Sequence, residues 1–362
     1  MHRLVFAHQL RALAVMSVVA SHLVGVYWAM PDVVAALTHR PRAPGPPPPF
    51  VWWIFWPHWQ PGPFGVALFF LISGLVIPIS LEHRRAGEFL VARVFRLLPV
   101  AACGQCLGLL AAHLLAGRSG IGWPPLGVVL ANALLVYDWF GLPSLDTVNW
   151  SLCVEVKFYV LAAITAPAIR ARRVAVVPAL GLLCLGCAAL SGVPRIAGPV
   201  VRMLGQEAVY LSFMCIGILF FFRLRGLSAF RFAAAVAGCG CLSCLVWLAS
   251  PIRAQFPVVT WSYGEALAVF ALAFALRRFA RPFWPLDRLA DISYPTYMTH
   301  SVLGYALIQF AMLTVHLSYR TALLLALGTV IAAATALHLS VERPGIRLGH
   351  AFGRRSRDGG SG

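Results

Sequence analysis

Charge is what this chain has least of. Asp, Glu, Lys and Arg make up 11% of its 362 residues, with 12 acidic side chains and a single lysine, Lys157. A water-soluble domain devotes about a quarter of its residues to charge. That scarcity, with 60% hydrophobic residues and a mean hydropathy of +0.80, excludes a soluble globular fold. Polar linkers are missing too: apolar runs fill nearly the whole chain, which predicts one membrane domain over residues 1–350 and a flexible polar tail over 351–362. The net charge of +17 comes from arginines clustered between apolar runs, a pattern that reads as topology and anionic-lipid contact, not nucleic-acid binding. The nine cysteines form three CxxC pairs, Cys103/Cys106, Cys184/Cys187 and Cys241/Cys244, mostly inside apolar runs and without histidine or a second pair at ligand spacing. They read as small packing residues, so no metal and no bound cofactor is expected. Arg11 interrupts what would otherwise resemble a signal peptide over residues 1–30, and no clear small-x-small cleavage site follows, so this stretch is expected to be a retained first span.

Eleven apolar stretches follow one another, at approximately 5–30, 62–82, 95–116, 124–140, 152–169, 174–192, 204–222, 232–250, 263–279, 292–315 and 322–340. Eleven crossings would put the ends of the chain on opposite sides, yet both ends are basic. The stretch 124–140 opens with Pro124-Pro125, contains Asn132 and Asp138, and is the best candidate to stay outside or re-enter. Without it, 21 basic residues fall inside and 8 outside. The expected fold is therefore an all-α polytopic bundle of about ten transmembrane helices in a cell membrane, with both termini cytoplasmic. Residues 31–63 read as a Pro-rich outer loop, with Pro46 to Pro49 followed by Trp52, Trp53, Phe55, Trp56 and Trp59. Those rings fit either an interfacial aromatic belt or a platform for an acceptor such as a sugar.

Arg11 and His22 lie eleven residues apart inside the first apolar run. At 3.6 residues per turn they share one helix face, roughly 16 Å apart. A cation and an imidazole at membrane depth are expensive, and such residues mark functional paths.

Further polar residues recur in a fixed order. Phe69-Phe70-Leu71-Ile72-Ser73-Gly74 lies in the second span, and Phe89 to Pro99, with Arg93 and Arg96, opens the third. Asn149-Trp150-Ser151-Leu152-Cys153-Val154-Glu155-Val156-Lys157-Phe158-Tyr159 follows, then Ile292-Ser293-Tyr294-Pro295-Thr296-Tyr297-Met298-Thr299-His300, then Val341-Glu342-Arg343-Pro344. This set resembles the acyltransferase-3 family of integral membrane O-acyltransferases, in order and over essentially the whole chain. The resemblance implies transfer of an acyl group, commonly from cytoplasmic acyl-CoA, to a hydroxyl of a carbohydrate or glycosylated acceptor such as a surface polysaccharide, lipid-linked glycan or antibiotic sugar. It also implies that the family's functional Arg-x10-His pair falls on Arg11 and His22.

Chemistry reads the same way. A hydroxyl is a poor nucleophile at neutral pH, and an imidazole is the side chain suited to act as its general base, so His22 is the candidate catalytic base. Glu155 is expected either to orient His22 or accept its proton, or to form a structural pair with Lys157 or another basic neighbour. Arg93 and Arg96, with Arg84 and Arg85, suit the phosphates of coenzyme A, although Arg84 and Arg85 also fit ordinary positive-inside charge. Arg11 would then guide the pantetheine arm. For the acceptor, Ser73, Trp150, Ser151, Tyr297 and His300 are candidates; Ser73 with Gly74 equally fits close helix approach, Ser151 a helix cap and His300 an interface histidine. Family members often carry Leu-Asp-Gly-Leu-Arg where this chain has Ala7-His8-Gln9-Leu10-Arg11, so the usual Asp is His8. The competing class is a proton-coupled exporter of a glycan or metabolite, for which intramembrane Arg, His and Glu would also serve. A soluble-type His-x4-Asp signature is absent; His83 to Glu88 gives only His-x4-Glu.

Overall fold

The computed structural model describes residues 4–54, 60–116, 122–254 and 259–358, and among them every regular element is a helix. The main helices, in chain order, are α1 (Val5–Ala20), α2 (Pro31–Thr38), α3 (Pro61–Glu82), α4 (Ala86–Leu115), α5 (Leu126–Ala133), α6 (Asn149–Ile164), α7 (Val176–Ser191) and α8 (Pro199–Leu224). They continue with α9 (Ala229–Ala249), α10 (Val259–Ala275), α11 (Trp284–Asp291), α12 (Ser293–Thr299), α13 (Val302–Leu313), α14 (Tyr319–Leu337) and α15 (Arg343–Asp358). Six helical stretches among the described residues are long and apolar enough to cross a membrane: Val5–Ala29, Pro61–Glu82, Ala86–Leu115, Pro199–Leu224, Ala229–Ala249 and Tyr319–Phe352. Val176–Ser191, Trp261–Ala275 and Val302–Leu313 are apolar but shorter. This is a membrane protein.

The stretch 124–140, expected to stay outside or re-enter, holds only the eight residues of α5 and a short 3₁₀ turn at Tyr137–Phe140; at 1.5 Å per residue α5 spans about 12 Å, against a hydrocarbon core of about 30 Å. Three local readings change. The Pro-rich stretch 31–63 begins with a helix, α2, because Pro31 sits in its first turn with Asp32, both favourable at a helix N-terminus. The expected continuous span 292–315 is broken into α12 and α13 at His300-Ser301. Lastly, α15 stays helical through Asp358, where a flexible tail was expected from residue 351. Pro344 lies just past the π segment His338–Glu342, inside a helical stretch that is continuous from Tyr319.

The chain divides into two compact units. The first comprises residues 1–65, 94–150 and 277–350. In it α13 and α12 pack on α14, and α1 packs on α11 and α12. Glycines set the closest contacts. A Cβ on Gly65 would lie 2.5 Å from the Ala14 carbonyl of α1, one on Gly104 2.8 Å from Met298 of α12, and one on Gly304 2.6 Å from Leu23. At one end, Tyr27, Trp28, Phe50 and Tyr319 form an aromatic cluster, with Tyr27 and Phe50 stacked on Tyr319 at 5.5 and 5.9 Å. Trp52 is exposed, while the side chain of Trp53 and residues Phe55, Trp56 and Trp59 lie outside the described residues.

The second unit comprises residues 66–93, 151–276 and 351–362. Its centre is α8, buried from Ala208 through Phe222, with α7 and α9 packed on it. Helix α3 crosses α8 where two glycines meet: a Cβ on Gly74 would fall 2.2 Å from the Met214 carbonyl, and one on Gly217 2.7 Å from Gly74 Cα. Phe220 meets Phe232, Phe270 and Phe274 edge-on, which joins α9 and α10 to the same core.

Candidate active site

The first helix loses its α-helical register at the residue singled out for chemistry. Ser21–Val26 is a π segment, with His22 as its second residue, before the helix resumes at Tyr27. A π-bulge costs hydrogen-bond quality and occurs mostly at functional sites. Here the neighbouring elements hold it open. Gly304 lets α13 approach Leu23 without a clash, and the Tyr319 hydroxyl donates to the Leu23 carbonyl at 2.6 Å, an added partner for a disturbed ladder.

Close approach at Gly304 brings the next residue, Tyr305, to the imidazole. The Tyr305 hydroxyl lies 2.8 Å from His22 Nδ1, and Thr147 Oγ1 lies 3.1 Å from the same nitrogen. A proton on Nδ1 shared by these two oxygens leaves the lone pair of a neutral imidazole on Nε2. His22 keeps part of its surface accessible although it lies well inside an apolar helix.

Opposite His22 stands the other interruption. His300 closes the end of α12 at the break, and its ring meets that of His22 edge-on, 5.0 Å between centroids. His300 Nδ1 lies 2.8 Å from the Tyr297 carbonyl and 3.2 Å from that of Thr296, so it is the protonated nitrogen. Nε2 is then an acceptor, fully buried, and no described residue donates to it. Tyr297 donates to the Val148 carbonyl at 3.4 Å, tying α12 to the loop that carries Thr147. In that loop, Asp146 Oδ1 accepts from the amides of Val148 and Asn149, both at 2.8 Å, and fixes the start of α6. Burial pushes the Asp146 carboxyl up to about 6, against the lowering effect of those two amides. Asn149 Oδ1 is a second buried acceptor without a donor among the described residues.

Arg11 sits part-buried on α1, three turns before His22. His8 and Gln9 turn to α11 and its approach: His8 Nε2 lies 3.1 Å from the Asp287 carbonyl and 3.6 Å from the Asp291 carboxylate, and Gln9 donates to the Arg281 carbonyl.

The second unit gathers another set of the expected residues. Ser73 donates to Glu155 Oε1 at 2.7 Å, and Tyr159, one turn along α6, donates to the same oxygen at 2.7 Å. The Tyr159 ring also lies under the Arg93 guanidinium at 5.2 Å, with Phe89 at 5.1 Å, so Arg93 is gripped by two rings. Lys157 donates to Glu207 at 2.9 Å, both nearly buried. Arg84 offers its carbonyl to Arg170 at 2.6 Å and Arg85 is exposed, whereas Arg96 belongs to the first unit and is part-buried on α4. At the start of α6 Ser151 is buried in the second unit, and Trp150, the last residue of the preceding segment of the first unit, is exposed. Tyr159 lies in the motif Asn149 to Tyr159 but is not among the residues that the motif marks for chemistry; Thr147 and Tyr305 carry no local signal in the sequence.

A helical membrane protein with a positioned imidazole beside a bare buried acceptor has the parts of an acyl-transfer enzyme. The chain matches the acyltransferase-3 family, described as an acyltransferase domain, over residues 5–339, and it belongs to that family. It is an acyltransferase. No curated protein and no solved structure matches it.

Proposed function

We propose that the protein is a multi-pass O-acyltransferase of the cell membrane that moves an acyl group from acyl-CoA to a hydroxyl of a carbohydrate or glycosylated acceptor. The observation that carries this reading is His22 on its π segment, Nδ1 held by Tyr305 and Thr147. Held so, His22 Nε2 takes the proton of the acceptor hydroxyl as its oxygen attacks the thioester carbonyl. The new C–O bond forms, the C–S bond breaks, and the proton passes from His22 to the departing thiolate, leaving an ester and free coenzyme A. His300 Nε2, to which no described residue donates, accepts a hydrogen bond from a second hydroxyl of the acceptor and orients it. Arg11 lies toward the donor side, and Arg93, Arg96, Arg84 and Arg85 supply phosphate-binding charge. The Glu155 carboxylate, held by Ser73 and Tyr159, keeps Tyr159 beneath Arg93.

The test is acyl transfer by purified protein in lipid, followed by mass spectrometry of acceptor and released coenzyme A. His22→Ala is expected to keep expression and fold but lose transfer by about 10²- to 10⁴-fold. Tyr305→Phe, which removes one partner of Nδ1, should lower the rate about tenfold and shift its pH profile. Wild-type turnover by His22→Ala would sink the assignment.

A further inference from the structure

The second unit contains a basic cavity that the acyl-transfer reading leaves unused. It is a half-open pocket of about 500 Å³ at the junction of α8 and α9, beside the turn that leads into α7. Arg172, Arg225 and Arg231 line it with Phe222, Gly226 and Ser228, and no acidic side chain does. Positive-inside topology requires arginines on one side of a membrane; it does not require them to converge on one cavity from two connections some fifty residues apart.

The three guanidiniums are in different states. Arg225 donates to the Glu82 carboxylate through Nε at 2.9 and 3.1 Å, and that pairing raises its pKa and fixes its fork. Arg172 holds the left-handed backbone region, φ 55°, where a branched or long side chain is rarely found, and donates through Nη1 to the Arg225 carbonyl at 3.1 Å. Such strain persists where the surroundings over-determine it, which is a mark of ligand-holding sites. Gly226, at φ +101°, makes the turn that no other residue type would make as readily, and Ser228 then caps the 21-residue helix α9 by accepting from the Arg231 amide. Arg231 is exposed at that helix start, where the dipole adds positive potential. Glu82 offsets one of the three charges, and no carboxylate among the described residues pairs with Arg172 or Arg231.

We propose that this cavity binds a phosphate group, from either an anionic lipid headgroup or a soluble phosphorylated metabolite. Guanidinium forks and a helix start suit phosphate oxygens, and the cavity opens at the ends of apolar helices, where both sources can reach it. The proposal does not depend on His22 or on the identity of the acyl donor.

The experiment uses the full chain in nanodiscs. One arm compares binding of inorganic pyrophosphate and coenzyme A in neutral phosphatidylcholine discs; the other titrates phosphatidic acid into the same discs and reads the thermal shift. In the double variant Arg172→Gln/Arg231→Gln, affinity for one class of probe is expected to fall at least about tenfold, the loss of one charge-assisted pair or more. Arg172→Lys/Arg231→Lys, which keeps the charge but not the fork, should give a smaller fall and covers the case in which the Gln variant does not fold. Arg277→Gln/Arg278→Gln is the control for charge in general. A loss confined to phosphatidic acid identifies a headgroup site, and a loss confined to pyrophosphate or coenzyme A identifies a soluble ligand. Equal binding in wild type and both double variants, or an equal loss in the Arg277/Arg278 control, overturns the site.

Discussion

Asp146 has two effects at the start of α6 that oppose each other. Its Oδ1 caps the amides of Val148 and Asn149, which favours the carboxylate, while burial beside Tyr305 disfavours it, and the net result is a carboxyl pushed up from 3.8 to about 6. The sign of the consequence follows from linkage. Between pH 3.8 and about 6 the folded chain holds a proton that the unfolded chain has released, so the contribution is present below the lower value and lost as pH rises through the higher one. Asp146→Asn keeps an oxygen for both amides and carries no charge. Its Tm should therefore gain on the wild type as pH rises from 4 to 6 and stay level above, with a cumulative difference of at most about 3 kcal/mol. Parallel Tm curves from pH 4 to 7 would refute this account of the loop. The same loop shows the limit of reading a site residue by residue. Arg11, His22 and His300 stand out in the sequence because charge and imidazole are rare in apolar runs, but the partners of His22 Nδ1 are 125 and 283 residues away and are ordinary residues, a threonine and a tyrosine. Nothing local distinguishes them; only the fold does.

At the scale of helices, hydropathy reports length and burial but not continuity. A π segment keeps the same residues apolar, so Ser21–Val26 leaves no trace in a 3.6-residue pattern, and the break at His300-Ser301 lies inside an unbroken apolar run. Both interruptions fall on the histidines, which are costly enough to reveal the positions although the backbone departure itself is hidden. Small residues were more legible. Gly74, expected to permit close approach, is where α3 meets α8, and its neighbour Ser73 turns to Glu155. Adding one methyl there sets Cβ against backbone atoms of Met214 and Gly217, which cannot rotate away. Gly74→Ala is expected to destabilise the protein by about 1–3 kcal/mol, and to slow acyl transfer by displacing Ser73. Gly240→Ala is the matched control, because it lies in α9 with open space around its Cβ and should be neutral or mildly stabilising. Thermal unfolding in detergent compares the two; equal Tm values would mean that the crossing relaxes without cost.

For the whole molecule, the proposed path of the chain through the membrane depends on α5. Both ends of the chain are rich in arginine, and the split of 21 basic residues inside to 8 outside arises only if residues 124–149 do not add a crossing. Two observations support that. Helix α5 has eight residues, too few to cross, and the segment after it is tied back on itself: Asn132 donates to the carbonyls of Val128 and Pro143 and accepts from the Leu145 amide. A fully buried asparagine that satisfies three backbone groups of its own loop makes a folded cap, as irregular backbone at membrane depth must be. The loop then delivers Thr147 to His22, in the outer half of the first span if the N-terminus is cytoplasmic. A reporter active only outside the cytoplasm, fused after Asp146, should be active, and the same reporter fused after Arg173, one crossing later, should be silent. A silent fusion at Asp146 with an active one at Arg173 would restore the eleventh crossing, reverse every loop from there to the C-terminus, and place the Arg172 cavity on the outer face, away from cytoplasmic phosphates.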